Sequence, residues 1–198
     1  MLPVINWDGL DEALKFLQGN DHGYKWVGID TITACQELAR RKVVKERVEL
    51  IEDPYTLTQN DWGKLGTLMG ELFYRTRLLR INTILLAQEA TRKQGGVEEY
   101  IPDLSPFSFK KLTPPQHLVA RLYVWQVADD QGNMRWERRL RTGLHPAYYT
   151  KTRTDQTRVM GDVLKNPHLG RILAWMLGKE VKAPEAVEDE TSLVLDLV

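Results

Sequence analysis

The sequence lacks the features of an exported or membrane-bound protein. Its single cysteine, Cys35, cannot form an internal disulfide, which indicates a reducing cytoplasm. The first residues show no basic stretch followed by an apolar run, so they do not form a signal peptide. No apolar run approaches the roughly 20 residues that cross a bilayer. We therefore expect a cytoplasmic protein that has no membrane partner.

The chain also has no net charge, but its charged residues are unevenly distributed along the sequence. The chain has 27 Lys and Arg residues and 27 Asp and Glu residues. Residues 183–198 hold five of the acids and no base, so the rest of the chain carries a net charge of +5. This asymmetry indicates an anionic partner, although a solvated surface explains it equally well. We expect one domain over residues 1–180 and an acidic, disordered tail over residues 181–198.

Apolar periodicity predicts an α/β fold in which helices and strands alternate. Two continuous apolar runs, each joined to a helix, predict a mostly parallel sheet flanked by helices. A polar loop is expected over residues 91–115, and either Asn60 or Asp61 is expected to cap the longest helix. The other predicted elements are helices at residues 8–18, 31–50, 60–79 and after Asn166-Pro167, strands at 24–29, 81–87 and 147–150, and a hairpin at 121–128 and 134–141.

Polar residues follow both apolar strands. Asp30 ends the first strand, and one carboxylate there can hold Mg²⁺ through water beside nucleotide phosphates. An Asp that ends an apolar strand is more often a helix cap, and Asp30 could simply cap the helix that starts near Thr31. Gln88 follows the second strand, where a polar side chain can contact a γ-phosphate, although a glutamine that merely ends a strand is the commoner case. Ligands bind at this edge of open α/β sheets, so both residues are candidates for a nucleotide site.

Two further groups of side chains can bind anions. Lys151 and Arg153 alternate on an extended segment, from which they could reach a phosphate bound by a neighbouring subunit or simply face solvent. The segment 91–115 interleaves cations with aromatic rings, the combination that binds single-stranded DNA. Its aromatic rings could instead belong to the core. The candidate DNA-binding residues are Arg92, Lys93, Phe107, Phe109, Lys110 and Lys111.

The order of these features resembles the RecA-type core of P-loop NTPases. It is most similar to the RecA-like ATPases that phages encode for single-strand annealing and recombination. The motifs that carry the resemblance are WVGIDTIT (26–33), NDWGKLG (60–66), INTILLAQEA (81–90) and YYTKTRTD (148–155), within a similarity that covers residues 6–177. The resemblance implies ATP and Mg²⁺ as cofactors and single-stranded DNA as a partner. It makes Asp30 the Mg²⁺-side aspartate, Gln88 the γ-phosphate sensor, and Lys151 with Arg153 the pair that acts in trans.

The chain departs from this family in its phosphate-binding loop. No G-x-x-x-x-G-K-[ST] segment occurs, and the nearest candidate, Gly63-Lys64, lacks the upstream glycine and is followed by Leu65. The expected catalytic glutamate is not found, and Glu12 and Glu89 are poor substitutes for it. We therefore expect the first P-loop strand to be absent. Three explanations stay open, namely a fragment whose partner supplies the loop, a degenerate ATPase, and a misassigned start.

Three functions are compatible with this sequence. The first is an ATP-binding protein of DNA recombination whose nucleotide site is incomplete in this chain. The second is a non-catalytic module that binds single-stranded DNA without nucleotide. The third is an interaction subunit that completes a partner's ATPase site. We expect either a homo-oligomer or a complex with a chain that supplies the P-loop.

Overall fold

The computed structural model of the protein describes residues 3–19, 21–47, 56–153, 158, 160–180 and 182–188. Within these residues the helices are α1 (Trp7–Gln18), α2 (Ile32–Arg47), α3 (Gln59–Leu78), α4 (Pro106–Leu112) and α5 (Leu169–Met176). The strands are β1 (Trp26–Ile29), β2 (Asn82–Leu85), β3 (Glu89–Gln94), β4 (Val97–Pro102), β5 (Leu118–Val119), β6 (Arg121–Ala128), β7 (Met134–Arg141), β8 (Lys151–Thr152), β9 (Val163–Lys165) and β10 (Ala186–Val187). The fold is mixed α/β, and it divides into two compact units.

The first unit comprises Met1–Ala90 and Pro102–Pro115. Strands β1 and β2 pair in parallel, with Trp26 opposite Asn82 and Ile29 opposite Leu85. Helix α1 packs on α2 and α3, α2 packs on α3, and α3 packs on α4. Although β1 comes from a continuous apolar run, it is not a buried strand, because its side chains alternate between exposed and half-buried. A sheet of two strands leaves much of both strands open to solvent.

The N-cap of helix α3 lies two or three residues before the predicted position. Thr58, and not Asn60 or Asp61, is the N-cap: its hydroxyl accepts a hydrogen bond from the Asp61 backbone N–H at 3.3 Å. The Asp61 carboxylate accepts in return from the Thr58 N–H at 2.8 Å. This reciprocal pair is a capping box, which satisfies two of the donors that a helix N-terminus leaves open.

The second unit comprises Thr91–Ile101 and Gln116–Val198. Its four-stranded sheet has the order β10-β9-β7-β6, and each pair is antiparallel. Strands β6 and β7 occupy the predicted hairpin positions, with Arg121 opposite Arg141 and Ala128 opposite Met134. The turn between them is closed by Asp129, whose carboxylate accepts from the backbone N–H of Gln131 and of Asn133. The core of this unit is formed by Leu140, Met160, Leu164, Ile172 and Trp175.

Two predictions about the sheets and connections are wrong. The sheet is not mostly parallel: among the described strand pairs with a defined register, β1–β2 is parallel and the others are antiparallel, and one isolated parallel bridge joins Tyr100 to Tyr148. Residues 91–115 are not a loop, since they hold most of β3, all of β4 and helix α4. The Gly95-Gly96 turn adopts positive φ angles of 61° and 84°, and Ser105 caps α4 with Pro106 at its first position.

The carboxyl-terminal elements also differ from the predictions. Strand β8 starts at Lys151, and the predicted strand at residues 147–150 is reduced to isolated bridges of Tyr148. His168 caps α5, whereas Asn166-Pro167 precede it. Helix α5 buries Ile172 and Trp175, whereas Leu169 in its first turn is exposed.

Some predicted segments fall outside the described residues. Among them are residues 48–50 of the second predicted helix and residues 189–198 of the tail. In the part of the tail that is described, Ala186–Val187 form β10 on the edge of the sheet. None of the described helices is long and apolar enough to cross a bilayer.

Helix α4 lies close to α3 at a glycine. A Cβ atom on Gly66 would stand 2.9 Å from Cδ1 of the Phe107 ring, which is closer than real contacts allow. A Cβ on Gly63, in the same helix, would meet no atom within 4 Å. The absence of a side chain at Gly66 therefore lets the Phe107 ring lie against the α3 backbone.

We predict that Gly66→Ala destabilises the protein by about 1–3 kcal/mol, the usual cost of overpacking. The matched change Gly63→Ala should stabilise it by up to about 1 kcal/mol, because alanine favours a helix over glycine. Urea unfolding followed by circular dichroism measures both. Equal effects of the two changes would contradict the close contact of Phe107 with Gly66.

Candidate functional site

The parallel pair β1–β2 brings Asp30 and Gln88 to one edge. The pairing continues one step beyond the strands, since the Leu86 N–H donates to the Ile29 carbonyl at 3.0 Å. Asp30 thus lies beside Leu86, and Gln88 follows two residues later. Both residues are exposed. The two predicted residues that the sequence separates by 58 positions are therefore neighbours at the carboxyl edge of the sheet, where ligands of α/β proteins bind.

Asp30 does not cap the helix that follows it. The Thr31 hydroxyl accepts from the Ala34 N–H at 3.0 Å, which is the N-cap hydrogen bond of α2. The Ile32 N–H donates to the Leu86 carbonyl at 2.7 Å, which ties the first turn of α2 to the chain after β2. Within the described part of the chain, the Asp30 carboxylate accepts no hydrogen bond. The alternative that Asp30 is only a helix cap is thereby excluded.

A threonine that the sequence analysis missed fixes the backbone at Gln88. The Thr33 hydroxyl accepts from the Gln88 N–H at 3.1 Å and donates to the Asp103 carbonyl at 3.1 Å. The Asp103 N–H donates in turn to the Gln88 carbonyl at 2.8 Å. The Gln88 backbone is thus held on both sides while its side chain projects into solvent. Asp103 lies far from Thr33 in sequence, so no local pattern could have found this contact.

The donor set at this edge suits a hydrated divalent cation. Mg²⁺ keeps several waters and is held by one or two carboxylates together with substrate phosphates, a role that the exposed Asp30 carboxylate fits. Among the described residues no group of three or more His, Cys, Asp or Glu side chains could enclose a metal. The backbone N–H groups and lysine of a P-loop are not encoded in this sequence. The edge therefore offers one exposed carboxylate of the kind that holds hydrated Mg²⁺, and this sequence encodes no phosphate-binding loop beside it.

Lys151 and Arg153 lie together in the second unit. Lys151 is opposite Val119 in the β5–β8 pair, and the Arg153 N–H donates to the His117 carbonyl at 2.8 Å. Desolvation, followed by the charge of Arg153, lowers the pKa of Lys151. Arg153 is exposed and Lys151 is half-buried. The two cations are therefore close neighbours on one short strand and its exit.

The predicted DNA-binding residues have different surroundings. In the second unit, Lys93 is exposed and Arg92 forms an ion pair with Glu99 at 2.6 Å. On α4 in the first unit, Phe107, Lys110 and Lys111 are exposed. Phe109 is buried in the core with only 7% of its surface exposed, so its assignment as a base-stacking residue is wrong. The alternative that the aromatic rings of this segment belong to the core thus holds for Phe109 and not for the exposed Phe107, while Tyr100 is half-buried against Tyr148.

The single cysteine is not a nucleophile. Cys35 is buried on α2, and burial raises the pKa of its thiol to about 11. The thiolate, which is the reactive form, is therefore rare at neutral pH.

The family of the chain is shown by comparison with family models. A family model described as an AAA domain matches residues 2–154, which is most of the chain. The protein therefore belongs to the AAA domain family, a class of nucleotide-binding P-loop NTPases. The matched region contains Asp30, Gln88, Lys151 and Arg153. Searches of curated proteins and of solved structures found no match.

We predict that Thr31→Ala lowers the free energy of unfolding by about 1 kcal/mol, because it removes the N-cap of α2. Asp30→Ala should change the free energy of unfolding by less than about 0.5 kcal/mol, as exposed residues without a structural partner do. Thermal or urea unfolding of the two variants provides the measurement. A larger loss for Asp30→Ala than for Thr31→Ala would restore the capping role of Asp30.

Proposed function

We propose that this protein binds ATP with Mg²⁺ at the edge formed by Asp30 and Gln88, and that it acts on DNA in recombination or single-strand annealing. Nucleotide binding is proposed mainly because the Asp30 carboxylate is exposed. Thr31, and not Asp30, caps α2, so the Asp30 carboxylate is available to a ligand. The membership of the AAA domain family supports nucleotide binding in general. The resemblance to phage-encoded RecA-like ATPases supports the DNA part.

Each residue at this edge has a role in the proposal. Asp30 holds Mg²⁺ through water, and Gln88 contacts the γ-phosphate while Thr33 keeps its backbone in place. The bound Mg²⁺ neutralises phosphate charge. Because the P-loop motif is not in this sequence, the phosphate cradle comes from another segment or chain. Lys151 and Arg153 act on the nucleotide of a neighbouring subunit, as arginine fingers do.

The Mg²⁺ role of Asp30 predicts a metal-dependent loss of nucleotide affinity. Asp30→Ala should weaken binding of fluorescent ATP in the presence of Mg²⁺ at least about tenfold, which equals roughly 1.4 kcal/mol. With EDTA in place of Mg²⁺, the variant should bind ATP no more weakly than the unchanged protein, because the carboxylate favours binding only through the metal. Fluorescence anisotropy measures both conditions.

The exposed acid Asp21 provides a matched control for charge. Asp21→Ala also removes one exposed carboxylate, but at a position before β1, and it should leave ATP affinity unchanged. The nucleotide proposal would be overturned if the unchanged protein bound no ATP, or if Asp30→Ala bound it as tightly in Mg²⁺. Circular dichroism is the control that checks whether each variant is folded.

A second candidate function is single-stranded DNA binding without nucleotide. It is favoured by the position of Phe107, whose ring packs with one side against Gly66. About half of the surface of this residue is exposed to solvent. The Lys111 Nζ atom is 5.6 Å from the centre of this ring, and Lys110 is exposed beside it. An aromatic ring next to cations is the combination that stacks a base and contacts its phosphate.

We predict that Phe107→Ala weakens binding of an oligothymidylate by about 1–3 kcal/mol, which is the usual contribution of one stacked base. Lys111→Gln should reduce the slope of log affinity against log salt by about 1. Tyr74→Ala, which removes another exposed ring of the first unit, is the matched control and should have no effect. Equal losses for Phe107→Ala and Tyr74→Ala would argue against a base-binding site on α4.

A further inference from the structure

The two edges of the four-stranded sheet differ in how they are protected. The edge at β10 is only two residues long, and Glu185 and Glu188 flank it. Short length and charge are the means by which proteins prevent an edge strand from pairing with another chain. This edge is therefore closed to a second molecule.

The edge at β6 has none of this protection. It is eight residues long, contains no proline, and carries one charged residue, Arg121, at its first position. Among the described residues β6 pairs with β7 alone. The outer row of backbone N–H and C=O groups is therefore a template for a further strand.

The same edge exposes apolar side chains. Leu122 and Val124 of β6 are 64% and 59% exposed. Trp136 and Met134 of β7 lie on the same face and are 69% and 58% exposed, while Arg138 is the cation of that face. Nucleic acid requires a denser set of cations than this, whereas exposed apolar side chains are typical of a surface that binds protein.

We propose that β6 pairs antiparallel with β6 of a second copy of this chain, about a twofold axis at Tyr123. Opposed residues of an antiparallel pair lie on the same face, so residues of even number must oppose residues of even number. With the axis at Tyr123, Leu122 opposes Val124 of the partner subunit, and Arg121 opposes Trp125 of the partner subunit. The most exposed apolar side chains of β6 cover each other, and no like charges face each other.

This self-pairing is independent of the proposed nucleotide and DNA functions, because it uses neither ligand. It joins two four-stranded sheets into one sheet of eight strands, in which residues 121–125 of β6 have a strand on both sides. The acidic edge at β10 cannot pair in the same way, which limits the assembly through these edges to a dimer.

Light scattering of the full chain at micromolar concentration tests the pairing. The expected mass is twice the 22.9 kDa of one chain. Val124→Lys should reduce the mass to that of a monomer, because it places two lysines beside the axis. Ala128→Lys puts the same charge on the same face, outside the paired residues, and should remain a dimer. A monomeric unchanged protein, or a dimer that Val124→Lys leaves intact, would overturn the proposal.

Disulfide trapping tests the register with exposed positions that tolerate substitution. A mixture of Leu122→Cys and Val124→Cys chains should form a covalent heterodimer under mild oxidation, since these positions face each other across the axis. Each variant alone should cross-link far less, because its own copies are diagonal neighbours about 7–8 Å apart. The native Cys35 is buried and does not compete. Equal cross-linking of the mixture and of the separate variants would show that the register is wrong.

Discussion

The arrangement of the first unit depends on the parallel pairing of β1 with β2. Parallel strands cannot be joined by a short turn, so the chain between them must form a long crossover, which α2 and α3 occupy. The same pairing places the two strand exits side by side. The hydrogen bond from the Ile32 N–H to the Leu86 carbonyl then locks the start of α2 to the chain that leaves β2. The neighbouring positions of Asp30 and Gln88 follow from this one constraint.

The Thr33 hydroxyl extends this arrangement to the next segment of the first unit. It accepts a hydrogen bond from Gln88 and donates one to Asp103, two residues before the Ser105 cap of α4. The Ser105 N–H in turn donates to the Gln36 side chain of α2 at 2.8 Å. A ligand that moved the Gln88 backbone would therefore have to break or shift contacts that position α4, the helix that carries Phe107 and Lys111. These hydrogen bonds are a physical connection between the proposed nucleotide edge and the proposed DNA-binding helix.

How much could be read from the sequence depended on whether the signal was local. The β6–β7 hairpin was placed correctly because alternation and the Asp129–Gly132 turn act over a few residues. The edge positions of Asp30 and Gln88 followed from the rule that parallel strands end on one side. Local signals were also overlooked, since Gly95-Gly96 and Ser105-Pro106 mark a turn and a helix inside a segment judged polar. The contact of Thr33 with Asp103 and the burial of Phe109 depend on tertiary packing, which no local pattern encodes.

The hydrogen bonds at the start of α2 make this edge better suited to a cation than to an anion. A helix N-terminus ordinarily attracts anions through its open N–H groups. Here the Ile32 and Ala34 N–H groups are already bonded to Leu86 and Thr31, and the neighbouring Asp30 carboxylate repels negative charge. A phosphate would thus meet few open donors and one negative charge at this position. A cation bound at Asp30 reverses that balance, because it offers the phosphate a positive partner that the helix start does not. For the proposed nucleotide site, this local chemistry makes binding depend on the metal, in keeping with the ordinary use of Mg²⁺ with nucleotides.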